Sequence, residues 1–242
     1  MWLSAENQRP KNCLLANLPA AEWQRLRPEL NLVPLAARQV IQEPHRPVVE
    51  AYFVEQGLIS AVNVLDDGSQ IEVATVGNEG MTGLAIVTGS ETVEQRYFVQ
   101  IEGLAYLATA PVLLAAATEG TALRRLLHRY SAAFLGQVMQ SVACNGLHSV
   151  QQRCCRWLLR CLDRSSATEI PVTHESLAQM LGVRRASVTD VLRPLQAEGL
   201  IQHRRGVVSV LDRPRLERAA CECQQAISRQ FDRLICEPRQ AT

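Results

Sequence analysis

The repeat of apolar residues changes once along this chain, and that change limits the folds open to it. From Leu32 to Ala108 short apolar runs alternate with turn residues, whereas after Pro111 the period lengthens from two residues to about 3.6. A strand-built front joined to a helix-built back is an α+β arrangement, not a regular βαβ alternation. In the front, Ala51 to Glu55 and Leu58 to Leu65 are expected strands flanking Gln56-Gly57. Asp66-Asp67-Gly68 predicts a hairpin turn ahead of Gln70 to Val76. Tyr97 to Ile101 and Leu104 to Ala108 form another expected pair, divided at Glu102-Gly103. Several short strands at this spacing predict a small antiparallel barrel or roll. A short helix-like segment, Ala20 to Leu30, precedes it.

In the back, Leu123, Leu127, Tyr130, Phe134, Val138 and Val142 make one apolar stripe about five helical turns long. A stripe of that length must be buried, either on the chain's own roll or against the same helix of a second chain. The near-3.5 spacing favours pairing, so these six residues are the expected dimer interface. Asn145-Gly146 ends the stripe and is the expected hinge. Another amphipathic helix runs from about Val150 to Leu162. A last one spans Pro214 to Ile235, with Leu216, Ala220, Cys223, Ile227, Phe231 and Leu234 on one face. It packs on the preceding domain or on a dimer partner.

Charge divides along the chain as the period does. Residues 29–119 hold three Arg against twelve Asp and Glu, a net −9, while residues 120–242 hold eighteen Arg against ten, a net +8. The front half should repel polyanions and the back half should attract them. No apolar run approaches the ~18 residues a membrane helix needs, and Met1 to Pro10 lacks the form of a signal peptide. The expected setting is soluble and cytoplasmic, without membrane contact.

The densest signal lies between Thr173 and Leu211. Thr173 can cap a helix whose first turn holds Glu175 and whose inner face is Leu177, Ala178 and Leu181. Gly182 supplies the left-handed residue that ends it. A second helix from about Arg185 turns Val188, Val191, Leu192 and Leu195 inward. A helix, a short turn with Gly and another helix make the helix-turn-helix pattern. The outer face carries Arg185, Ser187, Thr189, Asp190 and Arg193, side chains suited to base edges and phosphates in a major groove. Leu200 to Gln202 and Val207 to Leu211 then flank His203-Arg204-Arg205-Gly206, a hairpin wing with a doubly cationic tip.

With these parts in order, residues 15–212 resemble the Crp/Fnr family of bacterial transcription regulators. The resemblance implies an N-terminal cyclic-nucleotide-binding-like antiparallel β-roll (residues 1–117) and a dimerisation helix with its hinge (118–146). It further implies a winged helix-turn-helix DNA-binding domain (147–213); the last helix, read from its own spacing, makes 214–242 a helical extension beyond the resemblance. The run from Glu175 to Thr189 is similar to the family's DNA-reading signature, and Arg185 matches the Arg that contacts guanine. Ala186 stands where many members carry a base-reading Glu, and Arg184 where an N-capping Ser or Asn is usual. Arg184 cannot accept helix amide hydrogens and is expected to seek phosphate. Pro194 should bend the recognition helix locally.

The same resemblance locates an effector pocket around Gly80, Thr82, Gly83 and Arg96. Cyclic-nucleotide binders of the family place Gly before Glu and follow the later Arg with Ser or Thr. Here Glu79 precedes Gly80, and Tyr97 follows Arg96. On the long helix Val138 and Met139 align where a Thr-Ser pair would meet the base. A cyclic nucleotide is therefore not the expected cofactor, and another small effector stays open. Of the eight cysteines, Cys221, Cys223 and Cys236 could bind a soft metal, yet Cys-x-Cys is not the usual zinc spacing, so no metal site is assigned. Cys154 and Cys155 lie on an expected buried helix. His45 is the only His on the strand-forming half, which excludes a metal-dependent cupin, and no catalytic set appears. The expected function is a homodimeric, sequence-specific transcription regulator, not an enzyme. Its expected DNA contacts are Arg184, Arg185, Ser187, Thr189, Asp190, Arg193, Arg204 and Arg205, and its partners are double-stranded DNA, itself and RNA polymerase. A ligand-binding module using its helix-turn-helix for protein contacts is the alternative.

Overall fold

The computed structural model describes residues 9–164 and 169–236, except for the side chain of Cys236. Two short helices, α1 (Cys13–Ala16) and α2 (Ala20–Leu26), lead through a single 3-10 turn into the strands. These are β1 (Asn31–Leu35), β2 (Val40–Gln42), β3 (Glu50–Val64), β4 (Gln70–Val76) and β5 (Arg96–Thr109), with the short helix α3 (Leu84–Thr88) between the last two. All pairs are antiparallel, in the order β1-β5-β3-β4, with β2 also on β5. Leu35, Val54, Ile59, Val76 and Val99 fill the interior of this roll.

Four short strands were expected where two long ones occur. Gln56-Gly57 and Glu102-Gly103 interrupt β3 and β5 as bulges instead of turning the chain, and the register shifts beside Gln56. Gly57 has φ +97°, and a Cβ on Gly103 would lie 1.9 Å from the Gln56 carbonyl oxygen. Two glycines facing each other across one pair let both strands bend together without losing their ladder. The Asp66-Asp67-Gly68 hairpin forms as expected between β3 and β4.

Helix α4 (Ala110–Ala116) leads into α5 (Ala122–Leu147), the longest element. Its N-terminal half turns into the chain. Leu123, Leu127 and Tyr130 pack with Leu14, Leu15, Phe53 and Met81, so these three expected interface residues are core residues of their own subunit. Phe134 and Val138 are half-buried, and only Val142 of the six is exposed. The stripe drifts because a 3.6-residue helix carries a run of four-residue steps around its axis. The expected hinge also moves: α5 passes through Asn145-Gly146, with His148 N–H bonded to the Cys144 carbonyl, and becomes extended only at His148.

After His148-Ser149 comes α6 (Val150–Arg164), which is buried on two sides. One side joins Leu58, Val62 and Ile101 of the roll, and the other joins the helix-turn-helix core, so the two parts share one hydrophobic cluster. A polar clamp lies beside it. Glu79, almost fully buried, receives Arg160 at 3.2 Å on one carboxylate oxygen and Arg164 at 2.7 Å on the other. Arg160 also bonds Gln137 of α5 and Thr75 of β4, and Arg164 bonds Asn78.

The last segment is not one helix. It divides into α9 (Arg213–Ala219) and α10 (Cys223–Phe231), followed by a π-helical turn, Asp232–Cys236. Ile227, Phe231 and Ile235 join the core under α5, so α10 packs on its own subunit's roll and long helix, while Leu216 of α9 stays with the helix-turn-helix.

Candidate nucleic-acid interface

Residues 169–210 build a compact reading head. Strand β6 (Glu169–Pro171) leads to α7 (His174–Leu181), then α8 (Arg185–Ala197), β7 (Ile201–Arg204) and β8 (Val207–Val210). The Thr173 hydroxyl accepts the Ser176 amide hydrogen at 3.1 Å, and the Ser176 hydroxyl accepts that of Thr173 at 3.0 Å. This reciprocal cap fixes where α7 starts. Gly182 ends it at φ 61°, ψ 44°, and Val183 fills the turn. Leu177, Ala178 and Leu181 meet Val188, Leu192 and Leu195 in the core, as their spacing predicted. Arg153 of α6 donates to the Leu181 carbonyl and ties the helix end to its neighbour.

Helix α8 begins differently. Arg184 is extended (φ −70°, ψ 146°) and makes no side-chain cap, so its guanidinium and the first amide hydrogens of α8 stay available to an anion. Arg184, Arg185, Thr189, Asp190 and Arg193 are exposed and Ser187 is half-buried. Asp190 and Arg193 pair with each other at 3.2 Å in full solvent, a contact weak enough to yield to another partner. Pro194 lies inside α8 without ending it. In the wing, Arg205 (φ 50°) and Gly206 (φ 79°) form a two-residue turn whose geometry matches the strand twist, leaving Arg204 and Arg205 exposed at its tip. Strand β6, absent from the sequence reading, pairs with β8 and makes the wing a three-stranded sheet.

Two histidines missed by sequence reasoning sit at this face. His174 and His203 stack at 4.7 Å between ring centroids, with Nε2 of one 3.2 Å from Nδ1 of the other. His174 Nδ1 lies 3.0 Å from the Thr189 hydroxyl. Desolvation, then the neighbouring His203 and Arg185, hold His174 below the usual histidine range. No local spacing announces a pair 29 residues apart; only the folded-back wing brings them together.

The expected effector residues separate. Thr82 and Gly83 line a cavity of about 210 Å³ inside the roll, together with Glu50, Tyr97 and Phe134. Gly80 does not line it: a Cβ there would fall 2.3 Å from the Tyr130 ring, and Tyr130 donates from its hydroxyl to the Met81 carbonyl at 2.8 Å. Arg96 is held by Glu43 through contacts of 2.8 and 3.2 Å, also away from the cavity. Burial pushes the Tyr97 phenol up to about 12, which keeps it neutral. The lining contains a carboxylate and no Arg or Lys.

The profile of the Crp-like helix-turn-helix domain matches residues 152–219, from α6 to α9. Transcriptional regulator LdrP of Thermus thermophilus is 29% identical over 191 residues, which cover 72% of this chain and 89% of that protein. A solved CRP-family transcriptional regulator, also from Thermus thermophilus, is 26% identical with a TM-score of 0.64, covering 78% of this chain and 96% of its own. This chain is thus similar to Crp/Fnr regulators, and its residues 152–219 form a Crp-like helix-turn-helix domain. The fold extends further: a Crp/Fnr structure from Eubacterium rectale superposes with a TM-score of 0.69 over 88% of this chain and 97% of its own at 21% identity. With this Crp-like domain the chain is a transcriptional regulator with a helix-turn-helix DNA-binding domain, and not an enzyme. Among its described residues no helix is long and apolar enough to cross a membrane.

Proposed function

We propose that this regulator works as a homodimer whose two recognition helices read a two-fold DNA site. The observation that carries the reading is the exposed side of α5. Ala132, Leu135, Met139, Val142 and Gly146 face solvent at steps of three, four, three and four, the alternation of a coiled-coil seam. Leu135, Met139 and Val142 are 60%, 65% and 68% exposed, an apolar strip that water disfavours. The opposite side of α5 is already used by its own subunit, so a second copy is the natural cover for this one. Pairing through this seam would set the recognition helices about 34 Å apart, one turn of DNA.

In that complex Arg184, Arg204 and Arg205 supply phosphate attraction, while Arg185, Ser187, Thr189, Asp190 and Arg193 meet base edges. The signal, in this reading, is not a cyclic nucleotide. The roll's cavity offers a carboxylate where a phosphate needs a cation, Arg96 is engaged by Glu43, and Glu79 is spent on Arg160 and Arg164.

Sedimentation equilibrium, with selection of bound duplexes from random DNA, tests the proposal. A dimer that enriches a two-fold site is the expected result. A monomer that enriches no sequence would overturn it and favour protein contacts for the helix-turn-helix.

A further inference from the structure

At the end of α5, two segments far apart in sequence bring together Cys144, His148, Cys221 and Cys223. One donor atom from each lies within 4.8 Å of all the others. Cys144 and His148 share a helix face because they are four residues apart, one turn. Cys221 and Cys223 flank Glu222 in the bend between α9 and α10. We propose that these four side chains hold a single zinc ion, which fastens the C-terminal extension to the junction between the long helix and the DNA-binding domain.

The spacing suits the ion. Cys144 Sγ and Cys221 Sγ are 3.5 Å apart, too far for a disulfide bond, and Cys223 Sγ is 3.5 Å from His148 Nδ1. A tetrahedron built on zinc–sulfur bonds of about 2.3 Å and zinc–nitrogen bonds of about 2.1 Å has edges of roughly 3.5–3.8 Å. Three sulfurs and one imidazole are a donor set that closed, structural zinc sites use.

The surroundings are those of a ligand set rather than of packed thiols. Cys154, Cys155 and Cys161 sit among Leu and Trp side chains in the main core, where cysteine behaves as a small hydrophobe. Cys144, Cys221 and Cys223 instead form a buried cluster with no aliphatic member. His148 turns Nδ1 to this cluster and Nε2 to the Glu222 carboxylate at 3.3 Å, the outer contact that fixes a ligating imidazole in one tautomer. The Gln140 side-chain amide donates to Cys223 Sγ at 3.1 Å. Three thiolates around a divalent ion carry a net negative charge. Arg153 and Arg156 of α6 lie within electrostatic reach of Cys144 and Cys221, and the buried Nε of each has no hydrogen-bond partner among the described residues. Arg153 also holds the end of α7, so the site touches the support of the reading head.

The spacing in sequence hid the site. Cys-x-Cys alone is not a zinc signature, and its partners lie 77 and 75 residues away. Zinc content of the full chain, purified under reducing conditions without chelator, is the test, followed by replacement of zinc with cobalt(II). One equivalent of zinc per subunit is expected, and cobalt should give the intense thiolate charge-transfer and tetrahedral ligand-field bands. Cys144→Ser with Cys223→Ser should retain less than about 0.1 equivalent, while Cys13→Ser keeps the full amount. Glu222→Gln keeps all four ligands and should weaken zinc binding about 10- to 100-fold in a chelator competition, a readout that survives even if the double variant misfolds. Absence of stoichiometric zinc, an iron–sulfur chromophore, a Cys144–Cys221 disulfide in the reduced preparation, or zinc retained by the folded double variant would each overturn the assignment.

Discussion

Helices α5 and α8 bury similar faces and expose opposite ones. Inward, α5 turns Leu123, Leu126, Leu127 and Tyr130, and α8 turns Val188, Leu192 and Leu195, each an apolar stripe that seats a helix on its own domain. Outward, α5 shows Leu135, Met139 and Val142, whereas α8 shows Arg184, Arg185, Thr189, Asp190 and Arg193. The buried faces explain why both helices stay where they are and say nothing of what they meet. An apolar outer face calls for another protein surface, and a cationic, hydrogen-bonding one for a polyanion with readable edges.

Changing the outer face of α8 should spare assembly, whereas changing that of α5 should cost assembly and, through it, DNA affinity. The largest effect is expected of Leu135→Asp with Met139→Asp, which should yield folded monomers in the ultracentrifuge. Their affinity for a two-fold site should fall by about 10²–10⁴, because each half-site must then be found separately. Tyr130→Ala, on the inner face of the same helix, should instead cost about 3–5 kcal/mol of unfolding free energy in denaturant titrations and leave assembly intact below the transition. Arg185→Ala should keep the dimer and lose about 1–3 kcal/mol per half-site of discrimination between operator and random duplex in competition binding. Arg204→Ala with Arg205→Ala should weaken all sequences alike and, with four cations lost per dimer, make the slope of log K against log salt shallower by about 3.6.

The smallest effect concerns pH. His174 is held below its ordinary value of 6.5 in the folded state, so the unfolded chain takes up a proton first. Stability from this group is full above that value and is lost as pH falls through 6.5 toward the folded value. Thermal melts at pH 7.5 and 5.5 should show a slightly smaller difference for His174→Gln than for the parent.

Much of the reading head was legible because its signals are local. Thr173, Gly182 and the three-and-four spacing of Leu177, Leu181, Val188 and Leu192 each act within one or two helical turns. The long helix was legible as a helix and misread as a surface. Leu123 and Tyr130 satisfy a heptad as well as Leu135 and Met139 do, and only tertiary contacts with Phe53 and Met81 decide which set is spent at home. The glycine bulges of β3 and β5 were misread as turns for a related reason: Gly57 alone breaks a strand, while Gly57 opposite Gly103 bends two. The effector residues failed where a motif was already shifted. Glu79 finds its cations on α6, and Arg96 finds its carboxylate in Glu43.

Among the described residues, the carboxylate of Glu79 is the one acidic partner that Arg160 and Arg164 share, and it belongs to the other half of the molecule. Pulling the halves apart would break both of these ion pairs at once, together with the hydrophobic contacts beside them. Partial movements gain nothing, since neither charge is relieved until the carboxylate follows it. A reorientation of the reading head would therefore have to find a new counter-charge for both arginines together.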